Sequence, residues 1–192
     1  MPTPTKTITP AARPEKPKAA GRFITLTEGQ RIARVAKSWK DMPYGIGKYA
    51  GGGAVKDEGA DCSGSTWKIY AEAGFPYGGY FNTVRFVNRV ATDSHFIVAW
   101  LKDLVGVDAD FVEGEHFFKQ VNQPQVGDIG WWHNGKGGHM LIYDPASGPA
   151  PPEDVQGNAW SARTEGAPFS SVRYQWFNDK TPVKWYRYWK AS

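Results

Sequence analysis

The amino-acid sequence predicts an α+β domain in which N-terminal helices precede a central antiparallel sheet. Two runs, 25–42 and 61–74, carry helical signals, and short aromatic strand-like runs crowd the second half of the chain. Strands and helices do not alternate in a βαβ rhythm, which separates this pattern from a parallel α/β fold. The 192 residues suit one domain with a tail, and 9 Trp, 9 Tyr and 10 Phe favour strands and turns over a helical bundle.

Residues 1–22, "MPTPTKTITPAARPEKPKAAGR", are rich in Pro, Thr, Ala and Lys and read as a disordered tail or linker; 23–192 form the domain. The tail has no continuous apolar core of the kind a Sec signal needs. In "TLTEGQRIARVAKSWKDM", Thr27 can cap a helix whose apolar face is Ile32, Val35, Ala36 and Trp39. A Gly-rich connection, "PYGIGKYAGGGAVKDEGA", leads to a second helix that opens at Asp61–Cys62 and ends at Gly74. "NTVRFVNRVA" and "SHFIVAWLKDLVG" look helical, and "EHFFKQV" looks like a strand. Asp128–Trp132 and His139–Tyr143 read as strands joined by a Gly-rich turn, and "SGPAPPEDVQG" as an exposed loop. "NAWSA", "SSVRYQWF" and "VKWYRYWK" complete the sheet, and no internal repeat is present.

Charge excludes one class of function. The formal net charge is +4, but residues 1–22 hold five basic residues against one acidic, so the remainder, with 18 of each sign, is balanced. A balanced domain without a nucleic-acid-binding motif has nothing to attract a polyanion. No apolar run is long enough to cross a bilayer. With one cysteine there is no internal disulfide, and the compartment stays open.

That cysteine, Cys62, sits in "GADCSGSTWKIYAEAG", with Asp61 as N-cap and Ser63 and Gly64 leaving the backbone open to a substrate. A helix N-terminus stabilises a thiolate through its N–H groups and dipole, and the same N–H groups can hold an oxyanion. An isolated cysteine is as readily a small buried hydrophobe. Of the four histidines, His95, His116 and His133 have contexts that suit surface or packing roles, His133 lying in the turn "WWHNGKGG". His139 opens the apolar strand "HMLIY" after Gly137 and Gly138, where an imidazole can be aimed at a helix terminus without obstruction. It is the expected base. Asn158 in "VQGNAWSA" is the expected acceptor that orients it, with Asp144 as rival, and a Gly-Asn turn is the plain alternative. His133 and His139 lack further ligands at metal-binding spacing, so neither a metal nor a cofactor is expected.

The ordered set "PYGIG" (43–47), "DCSG" (61–64), "GDIGWW" (127–132), "GGHMLIY" (137–143) and "GNAWSA" (157–162) resembles the NlpC-type papain-like cell-wall cysteine peptidases. The resemblance implies a papain-like fold with the Cys helix packed on the sheet, and Cys62, His139 and Asn158 as nucleophile, base and orienting residue. It also implies Tyr44, Asp61, Ser63 and Gly138 around the oxyanion and substrate. The implied activity is hydrolysis of an amide bond in the peptidoglycan stem peptide, commonly between D-glutamate and the diamino acid. Asparagine in the third position keeps N-acetylmuramoyl-L-alanine amidase activity open, and an acyltransferase or a non-catalytic wall-binding module are further alternatives. Without a Sec signal, such an enzyme is expected to be made in the cytoplasm and to act at the wall or periplasm. An injected antibacterial toxin, as in type VI secretion, or a phage endolysin fits that route. An immunity protein and a delivery partner bound through the tail are the partners expected of the toxin.

Overall fold

The computed structural model describes residues 21–45, 59–77, 82–83, 86, 117–134, 137–150, 155–162, 167–178 and 181–191. Of the tail expected over 1–22, residues 1–20 lie outside them and Gly21 and Arg22 are strand instead; both helices expected between 82 and 106 (apart from Asn82, Thr83 and Phe86, the last two helical), His95 and His116 also lie outside them.

Strand β1 (Gly21–Phe23) leads into helix α1 (Leu26–Ser38). The cap is Thr25 rather than Thr27. Thr25 Oγ1 accepts from Glu28 N–H at 3.2 Å, and Glu28 Oε2 accepts from Thr25 N–H at 2.7 Å, closing a capping box. Arg22 fixes the choice by donating to both Glu28 oxygens, at 2.6 and 2.8 Å. Helix α2 (Cys62–Glu72) stops at Gly74, which takes the left-handed conformation with φ +83°. Trp39 Nε1 donates to Glu72 at 2.9 Å and joins the end of α1 to the end of α2.

The sheet contains β2 (Phe118–Val121), β3 (Ile129–His133), β4 (Gly138–Ala150), β5 (Val155–Ala162), β6 (Phe169–Val172) and β7 (Lys184–Ala191). Its order is β1-β7-β3-β4-β5-β6, with β2 also on β7, and every pairing is antiparallel. Among the described residues, helices α1 and α2 and one antiparallel sheet make the fold α+β. No helix among the described residues is long and apolar enough to cross a membrane.

Two expected boundaries differ. The exposed loop expected over 147–157 is largely strand, because an irregularity between Tyr143 and Gly148 lets β4 re-pair with β5 through Gly148↔Gly157 and Ala150↔Val155. "SSVRYQWF" is strand only to Val172. Asn158 Oδ1 accepts from Tyr174 N–H at 3.0 Å and turns Tyr174–Phe177 into a 3₁₀ segment.

The sheet separates two cores. On the helix side, Ile32, Ala36, Trp39, Cys62, Ile69 and Tyr70 pack on Met140, Ile142, Trp160, Phe169, Tyr186 and Tyr188. On the far side, Leu141, Ala159, Val172, Val183 and Trp185 are covered by the 3₁₀ aromatics Tyr174, Trp176 and Phe177. Successive strand residues face opposite ways, so Met140 and Ile142 belong to one core and Leu141 to the other.

The "GD" pair of 127–128 anchors α1 and α2 to this sheet. Gly127 has φ +87°, and a Cβ there would lie 2.6 Å from Gly29 Cα on α1. Its carbonyl accepts from the Tyr70 hydroxyl of α2. Asp128 is fully buried and receives Arg187 Nε at 3.0 Å and Nη2 at 2.9 Å, with Gln125 N–H at 2.7 Å. Burial pushes its carboxyl upward, and the Arg187 hydrogen bonds oppose that shift.

Candidate active site

Cys62 is the first residue of α2. Asp61 is extended, with φ −80° and ψ 177°, and its Oδ1 accepts from Gly64 N–H at 2.6 Å and from Ser63 Oγ at 2.9 Å. The Cys62 carbonyl accepts from Thr66 Oγ1 at 2.7 Å and Ser65 Oγ at 3.1 Å, so the first turn is held from inside the helix as well. Tyr44 reaches the same turn because its backbone bridges Ala60 in parallel, just ahead of the cap.

Three groups meet the Cys62 sulfur: the Tyr44 hydroxyl and the main-chain N–H groups of Ser63 and Met140. Residues far apart in sequence therefore converge on the thiol. The electrostatic balance still departs from the expectation of a helix-terminus thiolate. Burial, with Asp61's carboxylate second, pushes the Cys62 thiol up to about 12 against those donors. At 5 % exposure it is a neutral thiol in this arrangement. Burial and the neighbouring Cys62 and Asp61 charges likewise raise the Tyr44 hydroxyl.

His139 pairs with Trp132 across β3–β4, and its ring faces the second core. It stacks on Phe177 at 4.5 Å with an interplanar angle of 17°, and its Nε2 lies 2.9 Å from Ser161 Oγ. Ser161 also donates to the Met140 carbonyl at 2.7 Å. With that hydroxyl proton committed, the imidazole donates from Nε2. Burial pulls His139 down to about 4, so it is neutral at pH 7. Among the described residues no hydrogen bond joins it to Cys62.

Asn158 is not beside His139. Its Nδ2 donates to Gln175 Oε1 at 2.9 Å and its Oδ1 takes the Tyr174 N–H, which ties β5 to the 3₁₀ segment. The rival acceptor, Asp144, takes Trp160 Nε1 at 2.8 Å and Ala146 N–H at 3.1 Å. Gly138 lies in β4 opposite His133, where a Cβ would come within 2.7 Å of Thr83 Oγ1.

The structure thus brings Tyr44, Asp61, Cys62 and Ser63 together and leaves His139 and Asn158 elsewhere. Two groups were not anticipated from the sequence, the Met140 N–H at the sulfur and Ser161 at the imidazole. The period-2 pattern is the signal that carries them. In "HMLIY", Met140 and Ile142 alternate with His139 and Leu141, but every residue after His139 is apolar or aromatic, so hydrophobicity did not mark which set faces the helix. Compared with known proteins, the chain matches no family model, no curated protein and no solved structure.

Proposed function

We propose that this chain is a papain-like, NlpC-type thiol hydrolase that cuts an amide bond in the peptidoglycan stem peptide, with Cys62 as nucleophile. The observation that carries the reading is the convergence of Tyr44, Asp61–Ser63 and the Gly-His strand on one helix-terminal sulfur. In this reading the thiolate attacks the scissile carbonyl carbon. The N–H groups that face the sulfur, with the Tyr44 hydroxyl, lie close enough to hold the oxyanion that develops. The favoured bond is the one between D-glutamate and the diamino acid, and the setting is an exported antibacterial effector or a phage lysin. His139 is the base that the resemblance implies, and it reaches the thiol only if the first residues of β4 turn over.

The burial of Cys62 favours one second reading, a wall-binding module without catalysis. Both are tested by digesting purified peptidoglycans of different stem-peptide chemistry with the wild type and Cys62→Ala, followed by mass spectrometry. The hydrolase reading expects new fragments from the wild type alone, whose masses separate endopeptidase from amidase cleavage. Binding by both forms with no fragments from either replaces it with the module.

A further inference from the structure

We propose that the cavity between the end of α1 and strands β4–β6 binds a zwitterionic amino-acid group, one that carries an ammonium and a carboxylate on the same carbon. The site is separate from Cys62 and stands whether or not that thiol is a nucleophile. The cavity encloses about 690 Å³, within the range of small-ligand sites. Three charged side chains line it: Lys37 in the last turn of α1, and Lys40 and Asp41 in the turn that leaves the helix. None of the three side chains has an ion pair or hydrogen bond among the described residues. Two cations beside one anion suit a ligand with both signs, whereas a phosphate or a lone carboxylate would meet Asp41 as a like charge.

The inner wall is polar and built into the sheet. Ser147 and Ser171 are both buried, with their hydroxyl oxygens 2.7 Å apart, and Ser171 Oγ donates to the Gly148 carbonyl at 3.0 Å. With that proton committed, Ser147 donates to Ser171 and keeps its own lone pairs for an incoming N–H donor. Gly157 makes the room: a Cβ there would collide with Ser171 Oγ and lie 2.8 Å from Ser147 Oγ. Trp160 forms an apolar part of the lining, because its Nε1 is already committed to Asp144 at 2.8 Å and its ring is stacked on Phe169. A ligand carboxylate therefore finds Lys37 and Lys40, its ammonium finds Asp41 and Ser147, and its carbon chain finds the indole.

The backbone at Asp41 supports the assignment. Its φ of +67° makes it the one left-handed residue other than glycine among the described residues. Two hydrogen bonds hold it there, Asp41 N–H to Phe169 O at 2.8 Å and Phe169 N–H to Met42 O at 2.9 Å. Glycine would take that conformation at less cost, so the carboxylate is kept in place against a backbone penalty, as at other strained functional positions.

The test uses the whole chain with Cys62→Ala, so that no probe can be cut by the thiol, and follows amide NMR shifts on titration. Three probes are compared: the stem tripeptide L-alanyl-γ-D-glutamyl-meso-diaminopimelate, the same tripeptide ending in L-lysine, and free meso-diaminopimelate. The far end of diaminopimelate carries ammonium and carboxylate on one carbon, whereas lysine ends in an ammonium alone. The expectation is saturable shifts centred on Lys40–Met42, Ser147–Gly148 and Ser170–Ser171, with the lysine peptide bound at least about tenfold more weakly, the weight of one charge-assisted hydrogen bond. Lys37→Gln with Lys40→Gln should weaken both diaminopimelate probes by about tenfold. Asp41→Gly removes the carboxylate and relieves the backbone, so binding should fall by a similar factor while the urea midpoint holds or rises. Free diaminopimelate binding as tightly as the tripeptide makes free amino acids the ligand, and a tighter tripeptide makes it the wall peptide; either supports the site. No shifts, shifts centred elsewhere, equal affinity for the two tripeptides, or full affinity in the folded Asp41→Gly protein overturns the proposal. These titrations do not depend on peptidoglycan digestion by the wild type, so the site and the hydrolase reading fail separately.

Discussion

Asp61 does two opposed things to Cys62, and Asp61→Asn separates them. Its Oδ1 caps α2 through Gly64 N–H at 2.6 Å, a role the amide oxygen of asparagine fills almost as well. Its charge is the second cause, after burial, of the raised Cys62 thiol. Two charges about 5 Å apart at an effective dielectric near 20 interact by about 3 kcal/mol, so removing one raises the thiolate population by at most about 10²-fold. Iodoacetamide trapping at pH 8 reads that population directly, because only the thiolate reacts at a useful rate. Asp61→Asn should therefore alkylate tenfold to 10²-fold faster than wild type while its urea midpoint moves by less than about 0.5 kcal/mol equivalent. Asp61→Ala, which loses both roles, should gain reactivity and lose about 0.5–2 kcal/mol of stability. An Asp61→Asn protein with wild-type stability and an unchanged or slower alkylation rate would refute the assignment of that carboxylate as a brake on the thiol.

Gly127→Ala should cost about 2–5 kcal/mol in urea unfolding, from about 1–2 for a left-handed Cβ residue and about 1–3 for overpacking against Gly29; a loss under 1 kcal/mol would mean that α1 yields there easily. Arg187→Leu strips Asp128 of its bidentate partner and should cost about 3–5 kcal/mol at pH 7, with Asp128→Asn in the same background restoring part of it. His139 is held neutral in the fold down to about 4 but protonates near 6.5 in the unfolded chain. Its contribution to stability is therefore full above about pH 6.5 and is lost as pH falls toward 4, by up to about 3 kcal/mol. His139→Phe should flatten that part of the stability–pH curve, and an unchanged curve would show that the ring is not buried as described.

What was legible in the sequence was whatever short-range chemistry dictates. Asp61 before Cys62 announces a helix start because a carboxylate one residue ahead of the first turn meets its free N–H groups, and Gly74 announces the stop because it alone there takes a positive φ cheaply. The α1 cap shows the limit of that signal. Thr25 and Thr27 both begin a pattern with Glu or Gln three residues on, and the choice between them was made by Arg22, whose partner is not encoded in the pattern. Sheet extents were less legible, because Pro and Gly in 147–157 read as a loop although β4 and β5 re-pair beyond their irregularity. For the site, the convergence of Tyr44 and Cys62 was expected, but the facing of β4 was not. A strand with apolar residues on both sides gives no alternation to read, and one residue of register decides which side each histidine serves.

That register is the physical centre of the functional question. Cross-strand pairing of Ile129 with Ile142 and of Ile142 with Trp160 fixes β4 on both edges, so reversing His139 toward the thiol means surrendering Met140 and Ile142 from the helix-side core as well. Both are fully buried, and exposing two such side chains costs about 3–6 kcal/mol before the Ser161 and Phe177 contacts of His139 are counted. In this register the imidazole of His139 therefore reaches Cys62 only against that loss of burial. The buried Ser161–His139 pair is better accounted for as a polar fastening between β4 and β5 that holds the Met140 N–H against the sulfur.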